Sequence, residues 1–177
     1  MNIYLARHAE VEEKYKGCYN GQIDIDISKK GQKEAKKLAD NLKNIEFDIV
    51  YSSDLKRCRQ SVQYFDKKQV IFDESLREKS FGECEGLNYE EICKLKNTKY
   101  ESFEQWISVL GGEDFDGFIK RVEQFFKTKI LNSDRENILI MTHAGVIHTA
   151  IYLFLGKSLE ESFGVSAPYS SWIKIEV

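Results

Sequence analysis

Apolar positions along this chain follow two periods. Short runs rich in β-branched and aromatic residues occur at Asn2–Ala6, Phe47–Ser52, Gln69–Phe72, Asn137–Thr142 and Ser171–Val177, and read as strands. The run NILIMT is apolar at nearly every position, the mark of a strand covered on both faces at the centre of a parallel or mixed sheet. Between these runs the period lengthens. In KKGQKEAKKLADNLKN, Ala35, Leu38, Ala39 and Leu42 share one helical face with lysines opposite. In DFDGFIKRVEQFFKTKIL, a wide stripe runs from Phe115 through Phe118, Ile119, Val122, Phe125 and Phe126 to Ile130, and Gly145–Leu155 reads as a buried helix. The alternation predicts an α/β fold of three layers, a mostly parallel central sheet with helices on both faces. The stretch from Asn88 to Gly112 breaks the rhythm. It predicts one or two short helices carrying Tyr89, Tyr100, Phe103 and Trp106, either a satellite apolar cluster or a cap over a site.

At 177 residues, and with no repeat, low-complexity stretch or linker, residues 1–177 are expected to form one domain. Its 26 basic and 29 acidic residues are dispersed, with no basic stripe for nucleic acid and no polybasic membrane patch. No apolar run reaches the ~18 residues of a membrane span, and no signal peptide is evident. Cys18, Cys58, Cys84 and Cys93 lie far apart without a CxxC pair, which predicts reduced thiols and a cytoplasmic protein.

In open α/β sheets ligands bind beyond the carboxyl ends of the strands. Here the unusual residues fall at those ends. Arg7 and His8 follow the first strand. Ser52, Ser53 and Arg57 follow the second, Arg57 in the first turn of a helix that Ser53 or Asp54 is expected to cap. Glu74, Arg77, Glu78, Glu83 and Glu85 follow the third, and His143, Ala144 and Gly145 follow the fourth. A cation in a first helical turn has the wrong sign for the helix dipole, so Arg57 calls for an anion beside it. Two histidines, two arginines and helix N-termini suit a phosphate, which arginine's fork grips bidentately. Histidine can attack phosphorus while a carboxylic acid protonates the leaving oxygen; the residues alone do not choose among Glu74, Glu78 and Glu83. A metal site is not expected, because His143 and His148 are five apart and no HExxH or paired-cysteine motif occurs. Neither GxxxxGK[ST] nor GxGxxG is present to suggest a nucleotide cofactor.

Five segments carry a resemblance to the histidine phosphatase superfamily, which has the phosphoglycerate mutase-like fold. LARHAE resembles its L-x-R-H-G-E signature. YNGQIDIDISKKGQKEA, YSSDLKRCRQS, SLREKSFGECEG and MTHAGVIH resemble its later motifs, in the same order over nearly the whole chain. The resemblance implies a nucleophile at His8 that becomes a phosphohistidine. It implies a phosphate shell of Arg7, Arg57 and His143, and a proton donor at Glu78. Asn20, Gly21 and Ala144 fall at positions lining the phosphate pocket, and no metal or other cofactor is implied. Ala9 and Ala144 stand where glycine is usual and are expected to keep ordinary backbone angles. Cys84 stands where tryptophan is common and His148 where arginine is; His148 is expected to be a helix residue. The short chain favours hydrolysis over mutase chemistry. Within the superfamily it is most similar to alpha-ribazole phosphatases, which implies a small phosphomonoester substrate in assembly of the cobalamin nucleotide loop. A phosphoglycerate mutase-like enzyme, a phosphoprotein (phosphohistidine) phosphatase and a non-catalytic phosphate-binding module remain as alternatives.

Overall fold

Side chains that alternate between two apolar layers build one five-stranded sheet in the computed structural model, which describes residues 1–65 and 70–177. The strands are β1 (Asn2–Arg7), β2 (Ile49–Ser52), β3 (Val70–Phe72), β4 (Asn137–Thr142) and β5 (Trp172–Glu176). Their order is β3-β2-β4-β1-β5, with β5 antiparallel to β1 and the other pairs parallel. The second strand starts at Ile49 rather than Phe47, and the last omits Ser171 and Val177. Gln69 lies outside the described residues.

The central strands are covered twice, as NILIMT requires. Ile3, Leu5, Ile138 and Ile140 face α5 (Phe115–Phe125) and α6 (Ala144–Leu155), packing with Phe118, Val122, Phe125 and Ile147. The intervening Tyr4, Ala6, Leu139 and Met141 face α1 (Lys29–Leu42) and α2 (Lys56–Val62), meeting Leu38, Leu42, Cys58 and Val62. The apolar stripe beyond Phe125 continues in a π-helical segment, Phe126–Ile130, that keeps Phe126 and Ile130 in the core. In α6 burial ends at Ile151, and Tyr152 and Leu155 reach the surface. The irregular stretch forms α3 (Tyr89–Lys96) and α4 (Phe103–Leu110), separate from the sheet layers; α7 (Leu159–Phe163) follows α6. Side-chain caps begin α1 (Ser28), α3 (Asn88), α4 (Ser102), α5 (Asp114) and α7 (Ser158).

The expected cap of α2 is corrected. Leu55 is its N-cap residue, without a side-chain cap. Ser53 turns instead toward His143, and the Asp54 carboxylate takes Arg77 in a fork at 2.7 and 2.5 Å. The free N–H of Lys56 donates to Asp24 Oδ1 at 2.7 Å, from a loop 32 residues earlier. Farther along the same loop, Gln60 Nε2 donates to Asp26 Oδ1 at 2.6 Å and the Ile27 N–H donates to Gln60 Oε1 at 2.8 Å. Loop 20–27 thus substitutes for a local cap.

Because both faces of β4 are buried, neighbouring positions carry equal weight. Ile138→Ala and Leu139→Ala each cost about 2–5 kcal/mol, read from denaturant midpoints. A strand buried on one face would lose stability at one of the two alone.

Candidate active site

Parallel pairing of β1 with β4 places Arg7 opposite Thr142. The residues that follow, His8 and His143, therefore emerge side by side, and the His8 N–H donates to Thr142 O at 2.9 Å. Their ring centroids are 5.1 Å apart. His8 Nδ1 lies 2.9 Å from Ala9 O. A carbonyl only accepts, so Nδ1 carries the proton and Nε2 keeps its lone pair. Burial, then the nearby Arg57 and Arg7 charges, hold the His8 pKa well below 6.5, leaving a neutral imidazole. His143 is neutral by the same causes, burial first and Arg57 next. Its Nδ1 accepts from Arg57 Nε at 3.3 Å, so Nε2 carries the proton and faces Ser53 Oγ at 2.9 Å.

Arg57 is 1% exposed, and its other nitrogens donate to backbone, Nη2 to Gly21 O at 2.5 Å and Nη1 to Ile23 O at 2.8 Å. Arg7 Nη1 donates to Ala167 O at 2.5 Å, while its buried Nε has no protein partner. Among the described residues neither arginine forms an ion pair, and burial lowers both pKa values. Glu78 is held by backbone: Oε1 accepts from the Lys79 N–H at 2.9 Å, and Oε2 from the Gly145 N–H at 3.0 Å. The latter is an otherwise unsatisfied amide of the first turn of α6, where a negative charge also suits the helix dipole.

All eight residues singled out in the sequence line one cavity of about 580 Å³: Arg7, His8, Asn20, Gly21, Arg57, Glu78, His143 and Ala144. Glu74 and Glu83 are not among its walls; Glu85 sits behind it, where Oε1 accepts from the Gln22 N–H at 2.9 Å. Neither Ala9 nor Ala144 has a positive φ.

Known proteins resemble the chain in sequence and in fold. The model of the histidine phosphatase superfamily (branch 1) matches residues 3–177. The chain belongs to the histidine phosphatase superfamily. It is 30% identical to phosphoserine phosphatase 1 of Hydrogenobacter thermophilus, over 96% of this chain and 85% of that one. It is 29% identical to the adenosylcobalamin/alpha-ribazole phosphatase of Salmonella typhimurium, over 100% and 91%. The solved alpha-ribazole phosphatase of Shigella flexneri superimposes with a TM-score of 0.85 at 25% identity, covering 100% of this chain and 91% of that one. The protein is thus a phosphatase of the phosphoglycerate mutase-like fold. No helix among the described residues is long and apolar enough to cross a membrane.

Further residues line the cavity of this histidine phosphatase, Tyr169 outside every motif, and Lys79 and His148 inside motif segments that gave them no place there. Tyr169 lies just before β5; its ring centroid is 4.3 Å from the Arg7 guanidinium carbon and 5.5 Å from the His8 ring. The one available signal was position, since β5 pairs with β1 and brings the preceding loop over Arg7. Lys79 and His148 also line the cavity; His148 Nε2 donates to Val165 O at 3.0 Å. Beyond the charged floor the walls are mostly apolar, with Phe103, Trp106, Ile107 and Leu110 of α4 facing Phe115 and Phe163, and Glu160 the one carboxylate among them. Trp106 Nε1 donates to Tyr19 OH at 2.9 Å, which fixes the indole.

His8 and His143 stay neutral when folded, whereas in the unfolded chain they protonate below about pH 6.5. The unfolded state then binds more protons. Stability present above that pH is lost on acidification, by up to about 1.4 kcal/mol per pH unit for each histidine. Urea midpoints at about pH 7.5 and about pH 5.5 measure this slope, and His143→Asn is expected to reduce it.

Proposed function

We propose that this phosphatase hydrolyses the phosphomonoester of a flat, largely apolar alcohol, through a phosphohistidine on His8 and without a metal ion. His8 Nε2, unprotonated, attacks phosphorus in line with the ester oxygen. Arg7 and Arg57 neutralise the equatorial oxygens, the task that a divalent ion performs in many phosphoryl transfers, and His143, whose Nδ1 accepts from Arg57 Nε, holds that guanidinium in place. The partnerless Arg7 Nε supplies one donor there. Asn20, Gly21 and Ala144 complete the phosphate pocket. Glu78 protonates the departing alkoxide; as a carboxylate it then takes a proton from the water that cleaves the phosphohistidine, releasing phosphate and restoring His8.

The aromatic wall above the phosphate pocket carries the substrate reading. A phosphoserine or phosphoglycerate head group needs several charged partners, and this wall is mainly Phe103, Trp106, Ile107, Leu110, Phe115 and Phe163, with Glu160 and His148 at its side. The Lys79 ammonium beside Glu78 is already bonded to the carbonyls of Ser80 and Gly111. Alpha-ribazole 5′-phosphate, whose benzimidazole is flat and apolar, fits this lining.

Phosphate release should therefore be compared for alpha-ribazole 5′-phosphate, phosphoserine, 3-phosphoglycerate and 4-nitrophenyl phosphate in the presence of a chelator. The ribazole ester is expected to lead in kcat/KM by about 100-fold or more, and His8→Ala to abolish turnover and covalent labelling. Phosphoserine in first place would transfer the assignment to that substrate, in line with the Hydrogenobacter relative. Turnover of the nitrophenyl ester alone would withdraw the alcohol and favour a phosphoprotein.

The donor assignment has its own test at Gly145. A Cβ there would collide with Glu78 Oε1, the end of a flexible side chain, and would press on Phe118 Cζ at 3.2 Å, so the carboxylate must leave its place while the buried ring gives by a few tenths of an ångström. Alanine's better helix propensity, up to about 1 kcal/mol, opposes the cost of that contact, and thermal melting checks that Gly145→Ala is folded at the assay temperature. The substitution should slow alkyl phosphate hydrolysis about 100-fold or more. Full activity in this variant would remove Glu78 from the role.

A further inference from the structure

Two stretches of chain meet at the cavity: the loop carrying Glu78, and α4 with the apolar wall. Lys79 joins them. It is 4% exposed although it lines the cavity. Its backbone N–H donates to Glu78 Oε1, and its ammonium donates to Ser80 O at 3.0 Å and to Gly111 O, the carbonyl just past the end of α4. One residue therefore holds the carboxylate with its main chain and the end of α4 with its side chain.

The junction is tight from the other side as well. Gly112, at φ +73°, packs so closely that a Cβ would collide with Ser80 O and lie 2.6 Å from the Gly82 nitrogen. The Glu113 N–H donates to Ser80 O at 3.0 Å, and the Ser80 N–H donates to Glu113 Oε2 at 3.3 Å. Arg121 grips the Glu113 carboxylate with two bonds of 2.8 Å and donates to the carbonyls of Ser75 and Arg77 at 2.8 and 3.1 Å. Burying an ammonium is costly, and beside an apolar wall a methionine would fill the same space without that cost. Retaining the charge makes sense where its donors must fix two backbones relative to each other.

We infer that Lys79 is a positioning residue that fastens the leaving-group wall to the loop carrying Glu78, so that seating an aromatic alcohol against α4 also sets the carboxylate. The inference rests on the reading of Glu78 as proton donor. Binding energy gained far from phosphorus is then realised in the transition state, and appears in kcat as well as in KM.

The probes are ethyl phosphate and 2-phenylethyl phosphate, two alkyl esters that differ by a ring able to reach the wall. In the parent enzyme the ring is expected to lower KM and to raise kcat by about tenfold. In Lys79→Met the ring still lowers KM, but its advantage in kcat falls to about unity. A merely structural lysine would give parallel losses on both esters with the kcat ratio intact, and that result overturns the inference. So does a parent enzyme in which the ring leaves kcat unchanged. Thermal melting confirms that the variant is folded at the assay temperature. If it is not, Glu113→Gln, which loosens the junction from outside the cavity, is judged by the same ratio. Glu78→Gln, compared on 4-nitrophenyl and ethyl phosphates, tests the underlying reading separately. Equal losses on the two would remove Glu78 as donor, a failure distinct from that of the junction.

Discussion

Two guanidinium groups held below the surface by carbonyl oxygens rather than carboxylates constrain the rest of this molecule. Arg57 rests on Gly21 O and Ile23 O, and Arg7 on Ala167 O and the face of Tyr169. Partial negative charges of backbone oxygens solvate the cations without cancelling them, so the cavity floor keeps a field that favours an anion. A carboxylate paired with either arginine would have met the burial cost more cheaply and weakened that field. Burial first, and this field after it, keep both neighbouring imidazoles neutral.

The sheet makes this arrangement possible by pairing strands distant in sequence. Pairing of β1 with β4 in parallel aligns Arg7 with Thr142, so the chain delivers both histidines to one point without a long side chain having to reach. The acid arrives differently. Glu78 lies in a loop without regular strand or helix and depends on two backbone amides, one from α6 and one from its own neighbour. Rigid elements thus present the residues proposed to bind phosphate, while a braced loop presents the proposed proton donor.

Much of this was legible in the sequence because strand ends are legible. The five apolar runs located the strands within about two residues, and the side chains following them became the floor of the cavity. What escaped was non-local. The cap of α2 comes from Asp24, 32 residues earlier, where local patterning pointed to Ser53 or Asp54. Tyr169 carries no motif and acquires its place from the pairing of β5 with β1. Lys79 sits in a polar stretch that reads as surface, and its burial follows from the approach of Gly112, which no periodicity records. The choice of Glu78 over Glu74 and Glu83 came from family resemblance, and Glu78 alone of the three lines the cavity and meets α6.

Loop 20–27 has a consequence for the unfolding of this chain. Its carbonyls solvate Arg57 while its aspartates bind α2, through the amide of Lys56 and the side chain of Gln60. Peeling the loop away would strip a buried cation of its partners and uncap the helix that carries it, two losses in one event. Loop and helix therefore open together, as a single cooperative unit. A partly opened chain has no anion pocket left. On the function proposed above, inorganic phosphate would bind the closed form alone and raise the free energy of that opening in proportion to the logarithm of its concentration.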